Sequence, residues 1–126
     1  MKLTKGLIRA DIIAAKQAIA FFEEKKVKDI KNIAAYHLQQ AIEKTIKLKA
    51  EIAGLSLWGH DIDVLLKKCD DNNIDIGVPK YIRDKADVIT HWEAECRYYP
   101  IKVVRKDTLQ KTYDIALEWL DTGTTK

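Results

Sequence analysis

The stretch DIKNIAAYHLQQAIEKTIKLKAEIA, residues 29–53, decides the fold. Within it Ile30, Ala34, Leu38, Ala41, Thr45, Leu48 and Ile52 recur at three- and four-residue steps, the repeat that gathers side chains on one face of an α-helix. Asp29 offers a carboxylate as an N-cap, and no helix breaker intervenes before Gly54. The spacing predicts one continuous helix of roughly 37 Å at the usual rise per residue. A helix of that length serves as the spine around which shorter amphipathic helices pack.

Upstream, Ile8, Ile12, Ala15, Ile19 and Phe22 form a second helical stripe with Arg9, Lys16 and Glu23 on the opposite side. The charged run 23–28 ends it. Downstream, the short apolar linker 55–59 is expected to pack against the core, Trp58 included. A third helix follows from about His60, with Ile62, Leu65, Leu66 and Cys69 inward, and stops in the turn-rich run 70–73. His60 and Asp61 are placed to cap it. Pro79 suits the start of a fourth helix, whose stripe is Ile82, Ala86, Ile89, Trp92 and Cys96 and which Pro100 closes. Asp107 with Gln110 predicts a capping box for a fifth, with Leu109, Tyr113, Ala116, Leu117 and Leu120 inward. The expected architecture is therefore all-α, an up-and-down bundle of about five helices in a single domain spanning residues 1–126.

Composition agrees with that outline. The chain has 126 residues, 47% of them hydrophobic, with five glycines and two prolines, a balance that favours ordered helices over loops. Twenty-two basic and nineteen acidic side chains interleave, so the net charge of +3 does not by itself argue for nucleic acid. Cys69 and Cys96 lie far apart with no companion ligands, which predicts reduced thiols in a cytoplasmic protein. Arg9, Asp11, Lys16 and Gln17 interrupt the first apolar segment, so neither a signal peptide nor a membrane span is expected.

Several constellations have a chemical reading and a plainer one. His37, His60-Asp61 and Asp87 or Asp114 could supply the ligands of an H…HD…D phosphohydrolase, against the simpler role of His60 and Asp61 at a helix start. His91, Glu95 and Tyr98 share a helical face, yet a surface His–Glu pair accounts for them without metal. The run 71–77 has its glycine one place late for a calcium loop, and Ile82 stands where a bidentate glutamate belongs. No metal or cofactor is expected. Arg97 stands apart, because its permanently charged guanidinium ends a helix beside Tyr98 and Tyr99. It could clamp a phosphate while a tyrosine stacks on a base; the plainer reading pairs it with Glu93 one turn earlier.

Taken together, three segments resemble the higher eukaryotes and prokaryotes nucleotide-binding (HEPN) family. Residues 35–47, AYHLQQAIEKTIK, resemble that family's aromatic-His-x-Gln-Gln-Ala-x-Glu-Lys helix. Residues 59–66, GHDIDVLL, are similar to its Gly-His-Asp-Leu segment, and Arg97-Tyr98-Tyr99-Pro100 to its Arg-Tyr-Pro signature with one extra tyrosine. Order and spacing agree over roughly residues 5–121. The resemblance implies an antiparallel bundle that forms homodimers, with a cleft near the dimer axis lined by the Arg-Tyr region. It implies either metal-independent ribonuclease activity or nucleotide binding, and for small prokaryotic members a toxin–antitoxin-like pairing with a minimal nucleotidyltransferase.

In the ribonuclease members a histidine follows the arginine after four to six residues, and here those places hold Lys102, Val103 and Val104. Lysine, with an ordinary pKa of about 10.4, is a poor base at neutral pH. The leading expectation is thus a protein that binds a nucleotide or RNA phosphate through Arg97, Tyr98, Tyr99, Lys102 and His60. The alternatives are a ribonuclease using catalytic Arg97 with Lys102 or His60, and a non-catalytic interaction subunit.

Overall fold

The computed structural model describes residues 3–25, 29–98 and 105–122, the side chains of Asp29 and residues 93–98 excepted. Five α-helices lie among the described residues: α1 (Lys5–Lys25), α2 (Asp29–Ile52), α3 (Ile62–Asp71), α4 (Lys80–Tyr98) and α5 (Lys106–Asp121). No strand occurs among them. The expected all-α bundle is observed.

α2 is the spine. It packs against each of the other four helices, most extensively against α1. Ala34, Ala35, Leu38, Ala41, Ile42 and Ile46 are all at 0% exposure, so the helix is buried well beyond the single stripe that spacing predicted. The small alanines let neighbouring helices approach, while Leu38, Ile42 and Ile46 fill the space between them; truncating Leu38 to alanine would cost about 2–5 kcal/mol. Thr45 belongs to the buried stripe despite its hydroxyl, which donates to the Ala41 carbonyl at 2.7 Å. The helix ends as glycine dictates: Gly54 has φ +95°, the Gly54 N–H donates to Glu51 O at 2.9 Å and the Leu55 N–H to Ala50 O at 2.8 Å. That bond pair is a Schellman closure. Ile52, expected inside, is 48% exposed in the last turn of the helix.

Long-range contacts fix the helix directions. Asp11 of α1 meets Lys44 of α2, and Lys31 near the start of α2 stacks on Phe22 near the end of α1, so the two run antiparallel. Lys106 meets Glu23 at 2.7 Å, while Asp121 lies 2.6 Å from Arg9 and 3.3 Å from Lys5, so α5 is antiparallel to α1. Hydrogen bonds from Arg9, then Lys5, hold the Asp121 carboxyl below its usual range. The end of α5 is also tied to the spine. Lys49 donates to the Thr122 carbonyl, and the Trp119 indole N–H donates to Ile76 O at 3.1 Å. Burial, reinforced by Lys5, pulls the Lys49 pKa down against the opposing pull of Asp121.

Two expected caps are replaced. The Asp61 side chain makes no capping bond; the Ile62 N–H at the start of α3 donates to Thr90 Oγ1 of α4 at 2.9 Å. Asp107 and Gln110 form no capping box, because α5 begins at Lys106 and Gln110 reaches forward to Asp114 at 3.1 Å. Asp107 in the first turn still complements the helix dipole. The buried face of α5 is also rotated from the expected one: Thr112 and Trp119 join Leu109, Ala116 and Leu120 inside, while Tyr113 and Leu117 are half-buried. Trp58 is not packed at all, at 79% exposure, although its neighbour Leu57 is 9% exposed. Cys69 is a buried free thiol whose pKa burial raises, and the Cys96 side chain lies outside the described residues. No helix among the described residues is long and apolar enough to cross a membrane.

Candidate functional site

On α2 the spacing 36, 40, 43, 47 draws one stripe along the helix. Its central member, Glu43, has a side chain only 5% exposed. A carboxylate at that depth costs several kcal/mol unless donors surround it. Here they do. Glu43 Oε1 accepts from Gln39 Nε2 at 3.1 Å and lies 3.1 Å from His60 Nδ1, and Oε2 accepts from Lys47 Nζ at 3.1 Å. Gln39, itself at 0% exposure, accepts from Gln40 Nε2 at 2.8 Å. Gln40, Gln39, Glu43 and Lys47 of α2 are thus members of one hydrogen-bonded chain that ends on the His60 imidazole, whereas Lys44 bonds Asp11 instead.

His60 is the outer end of that chain. It sits on the turn before α3, and its ring is 70% exposed. Nδ1 faces Glu43, so Nε2 is the ring nitrogen left toward a molecule outside the domain. The Ile62–Thr90 bond holds this turn against α4. Arg97 follows Thr90 by seven residues of α4, about two turns or ~10 Å of helix rise. α4 packs against α2 as well as against α3. The main chains of Arg97 and Tyr98 belong to α4; their side chains, together with Tyr99 and Lys102, lie outside the described residues. The plainer pairing of Arg97 with Glu93 falls there too.

A second carboxylate–imidazole pair lies between α1 and α2. Asp11 Oδ1 is 3.1 Å from His37 Nδ1, and Oδ2 accepts from Lys44 Nζ at 2.9 Å. Burial works to raise the Asp11 pKa, but the hydrogen bonds and charges of His37 and Lys44 together outweigh it and hold the carboxyl below 3.8. The Tyr36 ring meets His37 edge-on at 5.5 Å.

The proposed H…HD…D ligands do not converge. His37 faces Asp11, His60 faces Glu43, the Asp87 carboxylate lies 3.7 Å from His91, and Asp114 accepts from Gln110. Among the described residues no three His, Cys, Asp or Glu side chains converge as metal ligands would. In the run 71–77, Asp75 Oδ1 accepts from the Gly77 N–H at 2.8 Å, an ordinary turn that uses the carboxylate locally.

A surface cleft of about 460 Å³ opens beside the stripe, lined by Glu43, Lys44, Lys47, Glu51, Leu57 and Trp58 among others. Of the residues expected at the site, His60 alone is described to its side chain. Glu43, Gln39, Lys47 and Asp11 were not anticipated. Their signal was present but faint: glutamine and glutamate four residues apart on a helix whose length commits it to the centre of the bundle.

Comparison with known proteins follows the same outline. The family model described as HEPN domain matches residues 12–123. Among solved structures, the chain is similar to TT1696 from Thermus thermophilus, with 21% identity, a TM-score of 0.56, and 90% of this chain and 92% of that chain covered. That likeness is one of fold. No curated protein sequence matches the chain.

Proposed function

The chain belongs to the HEPN domain family, matched over residues 12–123, and on that premise we propose that it binds a nucleotide or RNA through phosphate groups at Arg97. Tyr98, Tyr99, Lys102 and His60 complete the site, and a minimal nucleotidyltransferase is the protein partner in a toxin–antitoxin-like pair. The observation that supports this reading is the Glu43–His60 pair, 3.1 Å apart. A buried carboxylate is weak evidence for stability, since apolar residues of similar volume would serve a bundle as well. One that ends its network on a 70% exposed imidazole presents a polar group within reach of a molecule outside the domain. Arg97 brings a planar, permanently charged fork suited to phosphate oxygens.

Titration of ATP and of a short single-stranded RNA against wild type and Arg97→Ala tests the reading. Removing a hydrogen-bonded charge is expected to weaken binding about tenfold or more. Equal affinity of the two proteins, or no binding by the wild type, overturns it. Homodimerisation is measured on the same samples by light scattering.

A second reading is favoured by the same pair. With Glu43 orienting Nδ1, His60 Nε2 takes the proton from a ribose 2′-hydroxyl as it attacks the adjacent phosphorus; the P–O5′ bond breaks, leaving a 2′,3′-cyclic phosphate and a 5′-hydroxyl protonated from water, while Arg97 neutralises the charge that develops on the phosphate oxygens. That is a metal-independent ribonuclease. Incubation of RNA with the wild type and His60→Ala in EDTA decides it: cleavage by the first and not the second supports the enzyme, and intact RNA in both removes it.

A further inference from the structure

The chain has three tryptophans. Trp92 and Trp119 are each 3% exposed, whereas Trp58 is 79% exposed. Its exposure is built into the linker between α2 and α3. Leu57, at 9% exposure, anchors the segment in the core, and Gly54 and Gly59 turn the backbone through φ +95° and +107° on either side. A side chain with neighbours fixed in this way presents a flat indole without having to order a loop first.

The cleft beside Trp58 has a mixed lining. Lys47 gives one donor to Glu43 and Lys44 gives one to Asp11, so each ammonium keeps further donors for an anion. Glu51, also in the lining and exposed, is an acceptor for the exocyclic amine of a base. An aromatic face, ammonium donors and one open carboxylate match a nucleotide, which carries a π-surface, an anionic backbone and N–H donors. They match a uniformly cationic peptide less well, since Lys44 and Lys47 repel it.

Building on the phosphate-binding reading above, we propose that Trp58 is a stacking platform for a base of single-stranded RNA. The strand's backbone passes Lys47 and Lys44 in the cleft. The site thus sets aromatic recognition beside ammonium donors. It selects unpaired strands, because a base inside a duplex offers no free face to the indole.

The test is a fluorescence and anisotropy titration of the full chain with a ten-nucleotide single-stranded RNA and with a duplex of the same length. Stacking on Trp58 is expected to quench tryptophan emission with the same midpoint as the anisotropy change, and the duplex to bind more weakly. Trp58→Ala is expected to lose the quench and about tenfold in affinity, and Trp58→Phe to regain most of the affinity. Trp58 is a surface residue, so unchanged far-UV circular dichroism confirms that both variants are folded. If Arg97→Ala weakens RNA binding while Trp58→Ala binds as the wild type does, the platform is overturned and the phosphate-binding reading stands. If the wild type binds no RNA, the platform is overturned, and the phosphate-binding reading falls with it only if ATP also fails to bind. Quenching by an arginine-rich peptide and not by RNA assigns the indole to a protein partner and also overturns the proposal.

Discussion

Two carboxylate–imidazole pairs in this bundle share the same separation, 3.1 Å, and differ in everything around it. Asp11 and His37 project from two packed helices and are 16% and 29% exposed, and Lys44 of α2 also donates to the second Asp11 oxygen. Both partners are held by rigid elements, so the pair works as a cross-link between α1 and α2. Glu43 and His60 are 5% and 70% exposed, one deep in the spine and the other on a turn. The first arrangement ties two parts of the protein together. The second carries a buried charge outward to solvent, which is what a site needs and a cross-link does not. Depth asymmetry, and not distance, separates the two roles.

The sharpest way to break this comparison is Glu43→Ala. It strips the acceptor from Gln39, which is fully buried, and from Lys47 and His60 together. A loss of about 3 kcal/mol in urea unfolding is expected, because uncompensated buried polar groups are left behind. A loss below about 1 kcal/mol would mean that the interior is wetter than its burial indicates.

Asp11→Ala comes next, with an expected loss of about 1–2 kcal/mol at neutral pH. Its pH dependence is the more telling measurement. The folded-state pKa of Asp11 lies below the usual 3.8, so the pair contributes fully above that value and the contribution drains away as pH falls through the lower folded-state value. Stability of the wild type is therefore expected to fall more steeply below about pH 4 than that of Asp11→Asn. Parallel curves for the two proteins would show that Asp11 is not charge-paired in solution.

The smallest effect on stability belongs to His60→Ala, expected within about 0.5 kcal/mol of the wild type because the ring is 70% exposed and Gln39 and Lys47 still donate to Glu43 without it. The same variant is expected to weaken RNA binding or abolish cleavage. A large destabilisation with unchanged binding would exchange the roles of the two pairs.

Much of this architecture was legible in the sequence, because an apolar stripe at three- and four-residue steps leaves few alternatives to a helix. Ile8, Ile12, Leu65, Ile82 and Ile89 are all buried as their spacing required. The misses share a cause. Thr90 caps α3 from twenty-eight residues away, a partnership no local motif announces. Trp58 looked like core by its chemistry, and only the geometry of two left-handed glycines turns it out. The candidate site was half legible. His60 stood out by its motif, but Glu43 read as one more charge on an amphipathic helix until four neighbouring helices closed around α2.

The Thr90 bond also has a dynamic consequence. α3 has 10 residues, shorter than an isolated helix needs to persist in water. Its first amide is satisfied by α4, so peeling α3 away loses that bond to water and uncovers the apolar side chains it buries. The two helices should protect their amides from hydrogen exchange as one cooperative block. His60, hanging from the front edge of that block, is only as steady as α4 allows.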